Sequence, residues 1–158
     1  MDTLTTPVQP SLEHFIRVML EVGAPTQIGE TANGMRRYVP ILGGIFEGEG
    51  IRGKVLAGGG DWLLQRQDGS TLIDARYSLE TDHGQIIYIQ DRGFRHGPEQ
   101  VMARLAAGEP VDPSEYYFRT SATLETSVPE LMWLNQTLFV GSGMRKAANV
   151  IVDFYITE

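Results

Sequence analysis

The sequence predicts a mainly β fold, a single antiparallel sheet closed into a small barrel, with a two-sheet sandwich as the other packing its strand pattern allows. Three observations carry this reading. Apolar residues alternate with polar ones at period two through much of the chain. Short turn signals such as Asp68-Gly69 separate the runs. The 18 glycines are scattered rather than periodic and exceed the usual share of about 7%, as a fold rich in turns and bulges requires.

Residues 1–11 read as a flexible arm and 12–158 as one barrel domain. Ile16, Val18, Leu20 and Val22 alternate with Arg17, Met19 and Glu21, which marks a strand with one buried face. Gly23-Ala24-Pro25 ends it. A second strand covers 34–41. Residues 45–57 are extended but punctuated by Gly48, Gly50 and Gly53, which read as bulges that curve a sheet. After the turn Gly58-Gly59-Gly60, a strand over 61–67 meets the hairpin signal at Asp68-Gly69. Thr71, Ile73, Ala75, Tyr77, Leu79 and Thr81 form one face of the next strand, Asp82-His83-Gly84 turns the chain, and 85–95 returns. Residues 61–95 are thus a three-stranded meander.

One short helix is predicted over 98–107. Val101, Met102, Leu105 and Ala106 recur at helical spacing, Pro98 suits a first turn and Gly108 is a stop. Strands follow over 115–125, 135–141 and 145–156, with a helical turn at 129–133. The total is about nine or ten strands and one helix.

Composition narrows the function. The net charge is −7, and Lys54 and Lys146 are the only lysines. An acidic chain with no basic stripe repels phosphate backbones and anionic lipid, so neither nucleic acid nor membrane is an expected partner. There are no cysteines, hence no disulfide, thiolate metal site or cysteine nucleophile. Residues 1–10 lack the apolar core of a signal peptide and no apolar run reaches membrane-spanning length, so a cytoplasmic location is expected.

Several short motifs occur in a fixed order: Gly43-Gly44-Ile45-Phe46-Glu47-Gly48, Gly58-Gly59-Gly60-Asp61-Trp62, Asp74-Ala75-Arg76-Tyr77, Tyr116-Tyr117-Phe118-Arg119, and Trp133-Leu134-Asn135 with Phe139-Val140-Gly141. In order and spacing they resemble the domain of unknown function DUF3237, also called UPF0311, over nearly the whole chain. The resemblance implies a β-barrel of lipocalin or calycin type. It implies no catalytic residues.

The candidate site residues come from the strands themselves. The letters Gly48-Glu49-Gly50-Ile51-Arg52-Gly53 match a dinucleotide fingerprint, but that motif needs a helix directly after it and Gly58-Gly59-Gly60 forbids one. Asp61 begins a strand beside a glycine turn, where it can act as a general base or cap the turn. Asp74 and Arg76 share one strand face, opposite Ile73, Tyr77 and Leu79. They lie outside if the apolar face is packed core, and line a cavity if the inner wall is partly polar. Tyr117 and Arg119 repeat this arrangement, with Tyr116 and Phe118 opposite. Trp133 and Asn135 share a face if the chain is extended there. His14, His83 and His96 show no metal-ligand spacing, so no metal or other cofactor is expected, and only His96 is kept as a ligand-binding candidate.

These residues point to a small-molecule protein whose cavity takes an apolar or aromatic metabolite bearing an oxygen anion. In a catalytic version, with isomerase, cyclase or hydratase chemistry, Asp61 or Asp74 is the base, Tyr117 the acid, and Arg76 or Arg119 the oxyanion partner. A structural module that pairs as a homodimer through exposed sheet edges is the reading from a third class.

Overall fold

Period-two alternation becomes ten strands, seen in a computed structural model that describes residues 5–158. Of the arm expected over 1–11, residues 1–4 lie outside the described residues. Residues 5–10 have no regular structure, and Ser11 already exchanges backbone hydrogen bonds with Glu158. The strands are β1 (Leu12–Val22), β2 (Thr26–Thr31), β3 (Gly34–Gly48), β4 (Ile51–Val55), β5 (Gly59–Gln65), β6 (Thr71–Thr81), β7 (Ile86–His96), β8 (Tyr117–Glu125), β9 (Leu138–Arg145) and β10 (Asn149–Thr157). The expected helix is α1 (Glu99–Ala106), and the expected helical turn is a 3₁₀ segment, Pro129–Gln136.

The sheet closes into an antiparallel barrel. Neighbours run β1, β10, β9, β8, β7, β6, and β3 returns to β1. The gap between β6 and β3 is filled end to end by β4, which pairs Gly44–Gly48 of β3, and β5, which pairs Met35–Ile41. The ring therefore has eight positions, one of them split, and β2 lies outside it along β3. The sandwich alternative is excluded by closure. Several details differ from the sequence reading: Gly59 and Gly60 begin β5 instead of forming the turn, and Arg145 ends β9 instead of starting the last strand. Strand β2 was not expected, and residues 45–57 are a hairpin turning at Glu49-Gly50 rather than a bulged strand.

Inside, the apolar face of each strand forms the core. Phe46, Phe139, Phe154, Leu79 and Ile89 are almost wholly enclosed, and burying such a side chain stabilises by about 1.5–3 kcal/mol. Leu134 of the 3₁₀ segment packs into this cluster and covers one end of the barrel. Helix α1 follows β7 at the other end and lays Val101 and Leu105 against Leu63, Ile73 and Phe118. Between these two caps the packing is incomplete, and the opening is where the charged residues converge. No helix among the described residues is long and apolar enough to cross a membrane.

Candidate functional site

Strand register places the site. One inward row crosses β3, β5, β6, β7, β8 and β9 as Val39, Asp61, Ala75, Asp91, Ala122 and Phe139. Two carboxylates thus face the interior on either side of Ala75. Two inter-strand spacings put their backbones about 10 Å apart. The methyl side chain of Ala75, part of the cavity wall, leaves space that a larger residue would fill. Along β7, Ile87, Ile89, Asp91, Gly93 and Arg95 share the buried parity. A Cβ added at Gly93 would collide with the Arg119 carbonyl of β8, so glycine lets the two strands close up between Asp91 and Arg95.

The cavity has a volume of about 130 Å³. An apolar cavity of roughly 150 Å³ takes a benzene molecule, so the enclosed space suits one ring. Its walls are apolar, with Leu20, Ile41, Leu63, Ile73 and Val152 among them. Its polar groups are Asp61, Asp91 and Arg95 within, and Arg37, Arg145 and Lys146 where it opens beside the β1–β2 and β9–β10 connections.

Each buried charge is shifted, and burial is the leading cause. Asp61 is pushed up to about 6, while the Asp74 backbone N–H and then Arg95 pull it back. Protein surrounds this carboxylate, but water still reaches it through the cavity, so the residue is half-buried overall. Asp91, 3% exposed, is pushed up to about 7 by burial and by Asp61, with Thr120 opposing. Asp91 Oδ1 and Thr120 Oγ1 nonetheless lack a well-formed hydrogen bond. Arg95, 5% exposed, is lowered to about 10 by burial and next by Arg145. Its Nε has no partner. The Tyr77 hydroxyl is also unpartnered, and burial with Asp91 and Asp61 raises its pKa, which keeps it a neutral donor.

The contact to Asp61 has a local cause. The β5–β6 ladder pairs Gly60 and Asp61, then Leu64 and Gln65, and skips the two residues between. The Asp74 N–H, released from the ladder there, donates to Asp61 Oδ1 at 2.9 Å.

Of the residues expected from sequence, Asp61 reaches the cavity. Asp74 contributes its backbone only; its carboxylate turns outward, 3.8 Å from Arg92. Arg76 is exposed on the same outer face. The apolar residues of β6 took the inside, and parity sent both charges out. Tyr117 and Arg119 face outward for the same reason, with Phe118 inside. Arg119 lies over the Tyr117 ring and donates to the Phe118 carbonyl at 3.0 Å. His96 stacks on Tyr117 at 4.8 Å, also outside the barrel. The chain at 129–136 is helical, so Trp133 and Asn135 do not share an extended face. Trp133 meets Phe15 edge-on, and Asn135 bonds both the N–H and the carbonyl of Thr126, at 2.8 and 2.9 Å. None of the seven other candidate side chains lines the cavity.

Sequence reasoning missed Asp91, Arg95, Arg37 and Arg145. For the first two a signal was present: in 85–95 they carry the same parity as Ile87 and Ile89, which places charge on a buried face. Arg37 and Arg145 gave no local signal. Among the described residues no group of three or more His, Asp or Glu is arranged to hold a metal ion.

Fold and site together define a closed β-barrel with a small, charged internal cavity. The chain belongs to the family described as "Protein of unknown function (DUF3237)", which it matches over residues 10–157. A UPF0311 protein from Rhodopseudomonas palustris strain TIE-1 is 42% identical over 148 residues, which cover 92% of this chain and 97% of that protein. The crystal structure of a conserved protein of unknown function from Rhodopseudomonas palustris has a TM-score of 0.90 at 39% identity, covering 98% of this chain and 100% of the other. A more distant structure, described as an enzyme from Penicillium herquei, has a TM-score of 0.73 at 19% identity and covers 98% of each chain. That last likeness is one of fold.

Proposed function

We propose that the barrel binds a small apolar or aromatic metabolite bearing an oxygen anion or carbonyl, and that it performs acid–base chemistry on it of isomerase, cyclase or hydratase type. One observation carries the reading: Asp61, Asp91 and Arg95 line a single ring-sized space, and Asp91 and Arg95 each carry a buried atom with no hydrogen-bond partner. Buried charges without full partners cost stability, and such groups concentrate at working sites.

The chemistry follows from the two carboxylates. With a pKa of about 6, Asp61 is mostly ionised at neutral pH and can take a proton from a carbon or hydroxyl of the bound molecule. When the proton leaves carbon, the electron pair left behind moves onto the substrate oxygen, and the unpartnered Nε–H of Arg95, a residue of the cavity wall, is the donor available to it. With a pKa of about 7, Asp91 keeps its proton in about half of the molecules and can return one to the new position.

Proton abstraction is testable without knowing the substrate. Small ring ketones with an exchangeable C–H are incubated with the protein in D₂O, and deuterium uptake is followed by NMR. The wild type accelerates exchange of at least one of them, and Asp61→Asn lowers that rate by at least about a hundredfold. A ketone that binds without faster exchange, with affinity unchanged in Asp61→Asn, would make the barrel a carrier or sensor rather than a catalyst.

A further inference from the structure

The cations at the cavity mouth are not accounted for by the acid–base pair. Elsewhere, Arg17, Arg52, Lys54, Arg66, Arg92 and Arg104 each reach a carboxylate within 4.0 Å. Among the described residues Arg37, Arg145 and Lys146, which line the mouth, make no such pair, and neither do Arg36, Arg76 and Arg119, which lie apart from one another outside the cavity lining. Arg37 and Arg145 sit close enough to interfere with each other. Burial and then Arg37 depress the pKa of Arg145, and after burial both arginines depress that of Arg95. The carboxylates within the cavity, Asp61 and Asp91, are held partly protonated by burial and neutralise this charge incompletely. A chain of net charge −7 thus keeps an excess of positive charge around one small opening. Arg37 and Arg95 both act on the Asp61 carboxylate, but converging guanidinium groups whose charge is only partly neutralised remain unfavourable unless a further anion joins them.

We propose that the mouth is a carboxylate subsite, in which Arg37 and Arg145, with Lys146 at the rim, hold a carboxylate of the substrate while the rest of the molecule enters between Asp61 and Asp91. The proposal rests on the small-molecule reading above and narrows it: the substrate is a small carboxylic acid with a ring-sized apolar body and a second oxygen at the reacting end. A guanidinium fork matches two carboxylate oxygens, which is why arginines suit this role. The deep Nε of Arg95, unpartnered in a residue 5% exposed, remains for the reacting oxygen. The positive opening also draws anions in from solution.

Calorimetric titration at low salt with benzoate, and with benzamide as its uncharged isostere, tests this. Benzoate is expected to bind saturably and at least tenfold tighter than benzamide. Arg37→Gln and Arg145→Gln are each expected to weaken benzoate about tenfold without changing benzamide. Either variant serves if the other folds poorly. Asp61→Asn and Asp91→Asn are expected to keep or tighten benzoate binding, since neither carboxylate holds it. Loss of deuterium exchange in Asp61→Asn with benzoate binding intact therefore separates the two claims. The carboxylate subsite is overturned if benzoate does not bind, if benzamide binds as well, if both arginine variants leave benzoate unaffected, or if inorganic phosphate binds more tightly than benzoate.

Discussion

Asp91 places a carboxylate in the core with one oxygen unpartnered, and its effect on stability has a definite sign. Its ordinary value of 3.8 becomes about 7 in the folded protein. Over that interval the folded state holds a proton the unfolded chain has released, so unfolding free energy falls as pH rises. The contribution is fully present below about pH 4 and lost once pH passes about 7. Asp91→Asn removes the slope. Urea denaturation is expected to show the variant more stable than wild type at pH 8 by about 2 kcal/mol, half of the roughly 4 kcal/mol that a three-unit shift represents, and with no advantage at pH 4. An unchanged difference across the range would mean Asp91 is solvated. At this scale the sequence was only partly legible. Asp61 stood out beside its glycine turn. Asp91 and Arg95 were hidden in a strand that reads as isoleucine- and tyrosine-rich, although their parity already put them inside. Arg37 and Arg145 belong to strands far apart in the chain, and only closure brings them to one opening.

The elements hold these residues through backbone contacts as much as through side chains. Strand β3 pairs with β2 and then β1, and with β5 and then β4, and its partners change between Ile41 and Gly44. Gly44 sits at this change of partners with φ +141°, and an added Cβ would collide with the Met19 carbonyl of β1. Gly44→Ala is expected to destabilise the protein by about 3 kcal/mol, from strained φ and overpacking together, seen as a lower urea midpoint. A change under about 0.5 kcal/mol would show that β1 and β3 are not locked there. Most elements were legible because local pattern and burial agree: β6 and β7 alternate cleanly, and α1 buries the Val101 and Leu105 that its spacing marked. Strand β2 was not. Its six residues include one large apolar side chain, Ile28, which is exposed, so β2 exists by pairing with β3 rather than by burying a face.

For the whole molecule, both the order of strands and closure into a barrel were expected from the sequence, but the pairing that closes it was not, because β1–β3 joins segments separated by β2. Closure makes the interior poorly solvated, and that turns ordinary aspartates into groups that titrate near neutrality. It also turns a chain of net charge −7 into one with a positive entrance. The central claim is therefore electrostatic: Asp61 and Asp91 exchange protons near pH 7 because the barrel encloses them. Carbon-13 NMR titration of the aspartate carboxyls in the intact chain tests it most directly, with Asp61→Asn and Asp91→Asn assigning the signals. The structure predicts two carboxyls with apparent pKa values of about 6 and about 7. It also predicts that the Asp91 signal moves to lower pH when Asp61 becomes asparagine, since a neighbouring negative charge is removed. Both carboxyls titrating near 4, as in solvated aspartate, would contradict the account and leave the cavity without an acid–base pair.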